Sequence, residues 1–151
     1  MIQGARYVHT NLIAEDWRAL VAFYCDVFGC RLVPPERDYA GAELEAGTAL
    51  PGIGLKGAHL RLPGGGDTGP TLEIFQYDQQ RPRPERVINR PGFGHIAFDV
   101  PDVDAAHAEV LAHGGRPVGE IVRLTSSSGA EVTWCYVEDP EGNVIELQSW
   151  A

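Results

Sequence analysis

The run Val137-Glu138-Asp139-Pro140-Glu141-Gly142-Asn143-Val144-Ile145-Glu146-Leu147 (VEDPEGNVIEL) reads as the end of one strand, a tight turn, and the start of another. Asp139-Pro140-Glu141-Gly142-Asn143 is rich in turn formers. The residues after it alternate, and successive strand side chains point to opposite faces. Ile145 and Leu147 therefore share one face, and Val144, Glu146 and Gln148 share the other. The flanking strands are expected around Val132–Glu138 and Val144–Ser149. Working backwards, Gly94–Val100 (GHIAFDV) is a strand and Asp102 is a helix N-cap. Helix Val103–His113 stops at Gly114-Gly115, and a short strand follows over Pro117–Glu120. This half reads β-α-β-β(-β).

The first half repeats that order. Arg6–Leu12 alternates apolar and polar residues as a strand does. Asp16 caps a helix over Trp17–Phe28, with Gly29 as its stop, and Leu20, Phe23, Tyr24, Val27 and Phe28 form one apolar face. Cys30–Val33 is a short strand closed by Pro34-Pro35, and residues 36–54 show no firm element. Leu55–Leu62 and Thr71–Tyr77 (TLEIFQY) are strands, separated by the turn at Pro63–Asp67. Residues 78–92 hold prolines and arginines without hydrophobic periodicity and read as a connector. The expectation is one domain over residues 1–151, an internal duplication of module 1 (about 5–77) and module 2 (about 93–149).

Composition limits what such a protein does. A chain of 151 residues fits one ordinary domain. Hydrophobic residues at 44% and charged residues at 22% are globular values. Twelve basic against 21 acidic residues give −9, the wrong sign for a nucleic-acid partner. No apolar run approaches a membrane span, and the N-terminus lacks a secretory-signal pattern. Cys25, Cys30 and Cys135 are odd in number, show no CxxC spacing and lie in apolar segments. They read as buried reduced thiols, with a cytoplasmic location as the default.

Superposing the modules aligns their polar residues. Each first strand has a histidine near its start, His9 and His95, and each last strand has a glutamate, Glu73 and Glu146. Alternation puts all four on the face away from the helix, because Leu72, Ile74, Ile145 and Leu147 take the helix side. A carboxylate on a half-apolar face without a partner is strongly disfavoured. Taken singly, each histidine is explained by a local hydrogen bond and each glutamate by a solvated rim. Four at equivalent positions point instead to one divalent cation held by two imidazoles and two carboxylates, a set that suits Zn, Ni, Co, Mn or Fe(II).

On His9, Glu73, the segment Gly94-His95-Ile96-Ala97 and the run Val137–Leu147, the chain resembles the vicinal oxygen chelate superfamily, which includes glyoxalase I, methylmalonyl-CoA epimerase, extradiol dioxygenases and bleomycin-resistance proteins. The resemblance spans nearly the whole chain. It implies an α+β fold of paired βαβββ modules forming a cupped, barrel-like mixed sheet around one metal, with the helices outside and commonly as a homodimer. The ligand pattern at 9, 73, 95 and 146 is similar to that of bacterial glyoxalase I. It implies lyase, isomerase or epimerase chemistry on a small oxygenated substrate, with Glu73 or Glu146 also moving a proton.

Two positions depart from glyoxalase I. Ile13 and Tyr77 stand where that enzyme has the arginine and asparagine that grip glutathione, which argues against lactoylglutathione as the substrate. Tyr7, Asn11, Phe75, Tyr77, Asp99 and Gln148 share the parity of the four ligands and are expected to line a pocket for a neutral or aromatic molecule. The alternatives are an extradiol-type dioxygenase and a metal-free small-molecule binder of the bleomycin-resistance kind. Elsewhere, His59 stands either in the pocket or on a strand surface. His113 suits a helix C-terminus, and the arginines of residues 81–90 read as a solvated linker. Gly64-Gly65-Gly66 is a turn rather than a phosphate loop, and residues 36–54 are a candidate lid.

Overall fold

Asp16 and Gly29 delimit the first helix as the sequence predicts. In the computed structural model, which describes residues 1–84 and 87–151, α1 runs Trp17–Phe28. The Asp16 carboxylate accepts from the Arg18 and Ala19 amides, and Gly29 takes the left-handed conformation at φ 65°. Those bonds satisfy amides that a helix start otherwise leaves unpaired. Leu20, Phe23 and Tyr24 are buried along one face of α1. They pack on strands whose inward residues Ala58, Leu60, Leu72 and Ile74 are fully buried, each large one contributing about 1.5–3 kcal/mol.

The chain divides into two compact units, Met1–Pro82 and Arg83–Ala151. The first contains β1 (His9–Ile13), α1, β2 (Arg31–Ala40), α2 (Ala42–Thr48), β3 (Gly54–Arg61) and β4 (Thr71–Tyr77). Its sheet has the order β1-β4-β3-β2, with β1 parallel to β4 and the other pairs antiparallel. The second contains β5 (Ile96–Asp99), α3 (Val103–Ala112), β6 (Arg116–Pro117), β7 (Val122–Thr125), β8 (Glu131–Glu138) and β9 (Val144–Trp150). Its order is β5-β9-β8-β6, β7 also pairs with β8, and β5 is parallel to β9. Fold class is thus mixed α+β with two mixed sheets, each of them open rather than closed into a barrel. Among the described residues, no helix is long and apolar enough to cross a membrane.

Several boundaries differ from the sequence expectation. The first strand starts at His9 rather than Arg6, because its partner starts at Thr71, directly after Pro70, which has no N–H to give. The second strand does not stop at Pro34-Pro35 but continues to Ala40, with a cis bond between the prolines and a register shift between Val33 and Arg37. Prolines are tolerated there because β2 is the edge strand. The stretch 36–54 is not without structure, since it holds the end of β2 and helix α2. The short strand after α3 is Arg116–Pro117, and β7 follows it as an exposed strand of four residues, whose alternation of Val122 and Leu124 with Arg123 and Thr125 is too short to announce it. His113 caps α3, where its Nδ1 lies 3.0 Å from the Glu109 carbonyl oxygen.

The connector expected over 78–92 includes residues 85 and 86, which lie outside the described residues. Arg83 is exposed, as expected of the connector, and it also hydrogen-bonds the Glu141 carbonyl and, at 3.0 Å, the Asn143 Oδ1.

Two outcomes test this packing. A Cβ on Gly57 would lie 2.0 Å from the Ile74 carbonyl oxygen and 2.6 Å from Phe75 Cδ1. Gly57→Ala is therefore expected to lower stability by about 2–3 kcal/mol in urea unfolding. Burial pushes the Cys30 thiol up to about 12 and Cys135 up to about 11. At pH 8 fewer than about one in a thousand of these thiols is ionised. A disulfide reagent should leave both unmodified in the native protein and label them once it is unfolded.

Candidate functional site

Parallel pairing of first and last strands places the polar residues in each unit. In unit 1 the register sets Asn11 opposite Glu73 and His9 opposite Thr71, and on the other side of β4 it sets His59 opposite Glu73. His9 Nε2 lies 3.2 Å from Glu73 Oε2. Asn11 Nδ2 donates to the same oxygen at 3.4 Å, and His59 Nε2 lies 2.8 Å from Oε1. The His59 ring meets His9 edge-on at 6.0 Å and Phe75 at 5.8 Å. Burial lowers the His59 pKa below the ordinary imidazole value, with Glu73 acting in the opposite direction. Glu73 retains only 12% of its side-chain exposure, so these neighbours are what make an ionised carboxylate tolerable.

Unit 2 repeats the pair. Ala97 and Tyr136 flank Glu146 in the register, and His95, one residue before β5, reaches Glu146 Oε2 at 2.8 Å through Nε2. The Tyr136 ring lies 5.1 Å from that of His95 and 5.0 Å from that of Trp134. Burial, then Glu146, raises the Tyr136 phenol above its usual value. Sequence reasoning left Tyr136 and Trp134 unmentioned and His59 undecided. The signal that finds Tyr136 is its register position opposite Glu146, which depends on pairing between strands.

The expected pocket residues divide. Asn11 and Phe75 stand beside the imidazoles of unit 1. Tyr77 lines a cavity of about 350 Å³ in the same unit, with Trp17, Tyr39, Leu55 and Lys56 also in its wall. Tyr7 lies ahead of β1, exposed, with its hydroxyl on Thr10. Asp99 and Gln148 are register partners two residues along the ladder from Ala97 and Glu146, and Gln148 Oε1 accepts from the Trp150 indole at 3.1 Å.

A divalent cation is what the donor chemistry must be tested against. Two donors each about 2.1 Å from one ion and at right angles lie about 3.0 Å apart. The pairs at 3.2 and 2.8 Å bracket that spacing, so each fits as two neighbouring ligands of mixed N/O type. Among the described residues, no group of three or more His, Cys, Asp or Glu side chains forms a ready cation site.

The turn that ends β8 sets where Glu146 falls. Asp139 is fully buried. Its Oδ1 accepts from the Glu141 and Asn143 amides at 3.0 and 2.8 Å, and its Oδ2 from Asn143 Nδ2 at 2.6 Å. Gly142 supplies the left-handed conformation at φ 78° that the turn requires.

Comparison with known proteins agrees with this architecture. Residues 6–147 match the family described as Glyoxalase/Bleomycin resistance protein/Dioxygenase superfamily. The Escherichia coli K12 protein YaeR, described as uncharacterized, is 29% identical over 140 residues, covering 92% of each chain. A probable lactoylglutathione lyase of Synechocystis is also 29% identical, covering 93% of this chain and 92% of its own. The crystal structure of a glyoxalase family protein from Bacillus cereus superposes with a TM-score of 0.77 at 19% identity, covering 99% of this chain and 95% of that one. At that identity the likeness is one of fold.

Asp139→Ala strands three donors in a buried turn. The variant is expected to lose about 3 kcal/mol of stability, read from the urea midpoint.

Proposed function

We propose that this chain, which belongs to the Glyoxalase/Bleomycin resistance protein/Dioxygenase superfamily, is a divalent-metal-dependent, glyoxalase-like enzyme that transfers protons on a small oxygenated substrate. His9, Glu73, His95 and Glu146 are the ligands in this reading. The observation that carries it is the recurrence, in both units, of an imidazole Nε2 within 3.2 or 2.8 Å of a glutamate oxygen. A recurrent pair of this kind has no role in either hydrophobic core, since both glutamates alternate with the fully buried residues of their strands.

The chemistry follows from the groups. A divalent cation, when bound, polarises a substrate carbonyl and so acidifies the carbon beside it. Glu73 or Glu146 takes the proton from that carbon. Returning it at the neighbouring position gives an isomerase outcome, and delivery by the other carboxylate on the opposite face gives an epimerase outcome. Departure of a leaving group from the neighbouring carbon with its bonding electrons, in place of reprotonation, gives a lyase outcome. Trp134 and Tyr136 in unit 2, and Phe75 in unit 1, supply apolar surface next to the imidazoles and strengthen each electrostatic contact by excluding water. Ile13 and Tyr77 offer no cation or amide to a glutathione carboxylate. The names of the lyase relatives therefore support the reaction class more than the thiol cosubstrate. The cavity beside Tyr77, walled by Trp17 and Tyr39, suits a neutral or aromatic substituent.

Two measurements test the reading. Untagged protein purified without chelator is expected to carry about one divalent metal per chain, and His95→Ala to lose it. With small α-hydroxy and α-keto carbonyl compounds in deuterated water, deuterium is expected to enter the carbon beside the carbonyl. Glu146→Gln should slow this exchange by about a hundredfold or more. A protein that is metal-free and refuses added metal would leave the small-molecule binding module as its function.

A further inference from the structure

Glu73 is held from both sides, and the second side is independent of its predicted partners. Oε2 faces His9 and Asn11, whereas Oε1 lies 2.8 Å from His59 Nε2. His59 keeps 19% of its side-chain exposure. Its other ring nitrogen, Nδ1, is 3.4 Å from Thr71 Oγ1. An ionised carboxylate only accepts hydrogen bonds, so the Nε2 that faces it carries a proton. The Thr71 hydroxyl then donates to Nδ1, which leaves His59 with no lone pair directed at a ligand. The Phe75 ring packs edge-to-face against the His59 ring, with their centres 5.8 Å apart.

We propose that His59 is a positioning residue: its Nε2–H holds Glu73 Oε1 in a charge-assisted hydrogen bond, so that Oε2 alone is presented on the side of His9. The inference rests on Glu73 being a metal ligand, as argued above. Such bonds orient ligating carboxylates, and their loss typically weakens metal binding. The duplication makes the device visible by contrast. The residue across the ladder from Glu146, in the place that His59 takes across from Glu73, is Tyr136. There an aromatic ring lies against the histidine, 5.1 Å from His95, where unit 1 has an imidazole on the back of the carboxylate. The two glutamates of the repeat are thus held by different means, and Glu73 is the one with a donor fixed behind it.

The test has two arms on the full chain. In metal-free protein labelled with ¹⁵N on its imidazoles, NMR is expected to show His59 as the Nε2–H tautomer with a slowly exchanging ring proton. That signal should be lost in Glu73→Ala. An Nδ1–H tautomer, or a ring proton indifferent to Glu73→Ala, overturns the proposal. In the second arm, Zn²⁺ affinity is read by competition with a chromophoric chelator. His59→Ala is expected to weaken it about ten- to a hundredfold, and His59→Gln, whose amide N–H can still donate, to recover it to within about threefold. Unchanged affinity in His59→Ala, or equal loss in two variants that both melt like the parent, overturns it. If the parent chain binds no Zn²⁺ at all, it is the ligand reading of Glu73 that falls. The imidazole spectrum then still decides whether His59 holds the carboxylate.

Discussion

The histidine–glutamate pair of each unit depends on one constraint, the parallel pairing of the unit's first and last strands. β1 lies beside β4 and β5 beside β9, although about sixty residues separate His9 from Glu73 and fifty separate His95 from Glu146. A parallel neighbour requires a long crossover, and the intervening helix and strands are that crossover. Its reward is local: a histidine at the start of one strand and a glutamate within the other become hydrogen-bonding neighbours. The crossover helix covers one face of the sheet, so the polar pair is left on the other.

That division of faces explains how the sheet accommodates the polar pairs. Leu72, Ile74, Ile145 and Leu147 are fully buried, and they fix the orientation of their strands so firmly that Glu73 and Glu146 have no choice of face. Glu73 is mostly removed from water, and a carboxylate in that state needs donors. His9, Asn11 and His59 are those donors. In the proposed reading, the glutamate oxygens 3.2 and 2.8 Å from His9 and His95 are also those of neighbouring metal ligands. Superfamily membership gives that spacing a context, and aromatic rings lie beside the imidazoles His59 and His95.

The features that sequence reasoning missed share a cause. Strand β2 passes through Pro34-Pro35 because it is an edge strand, and edge status is a property of the assembled sheet. Strand β7 is four residues long and exposed along its whole length, so its alternation of Val122 and Leu124 with Arg123 and Thr125 is too brief to mark it. Helix α2 is only seven residues long with no buried side chain, too short for a periodic signal. Arg83 reads from composition as part of a solvated connector, but it bonds across about sixty residues of sequence to the turn at Glu141–Asn143. In each case the stretch itself carries too little signal, and for Arg83 the partner is a distant segment.

The sequence by itself determined the helix caps at Asp16 and Asp102, the strand at Thr71–Tyr77, the turn at Asp139–Asn143, the repeated order of elements and the shared face of the histidines and glutamates. All of these follow from periods of two and of 3.6 residues and from turn chemistry, which act over a few neighbouring positions. Only the tertiary structure decided that β1 starts at His9, that His59 stands behind Glu73 and that Tyr136 stands opposite Glu146. The physical reason is that register is a relation between strands. Alternation says which face a side chain takes, but the hydrogen-bonded ladder alone says which residue it meets there.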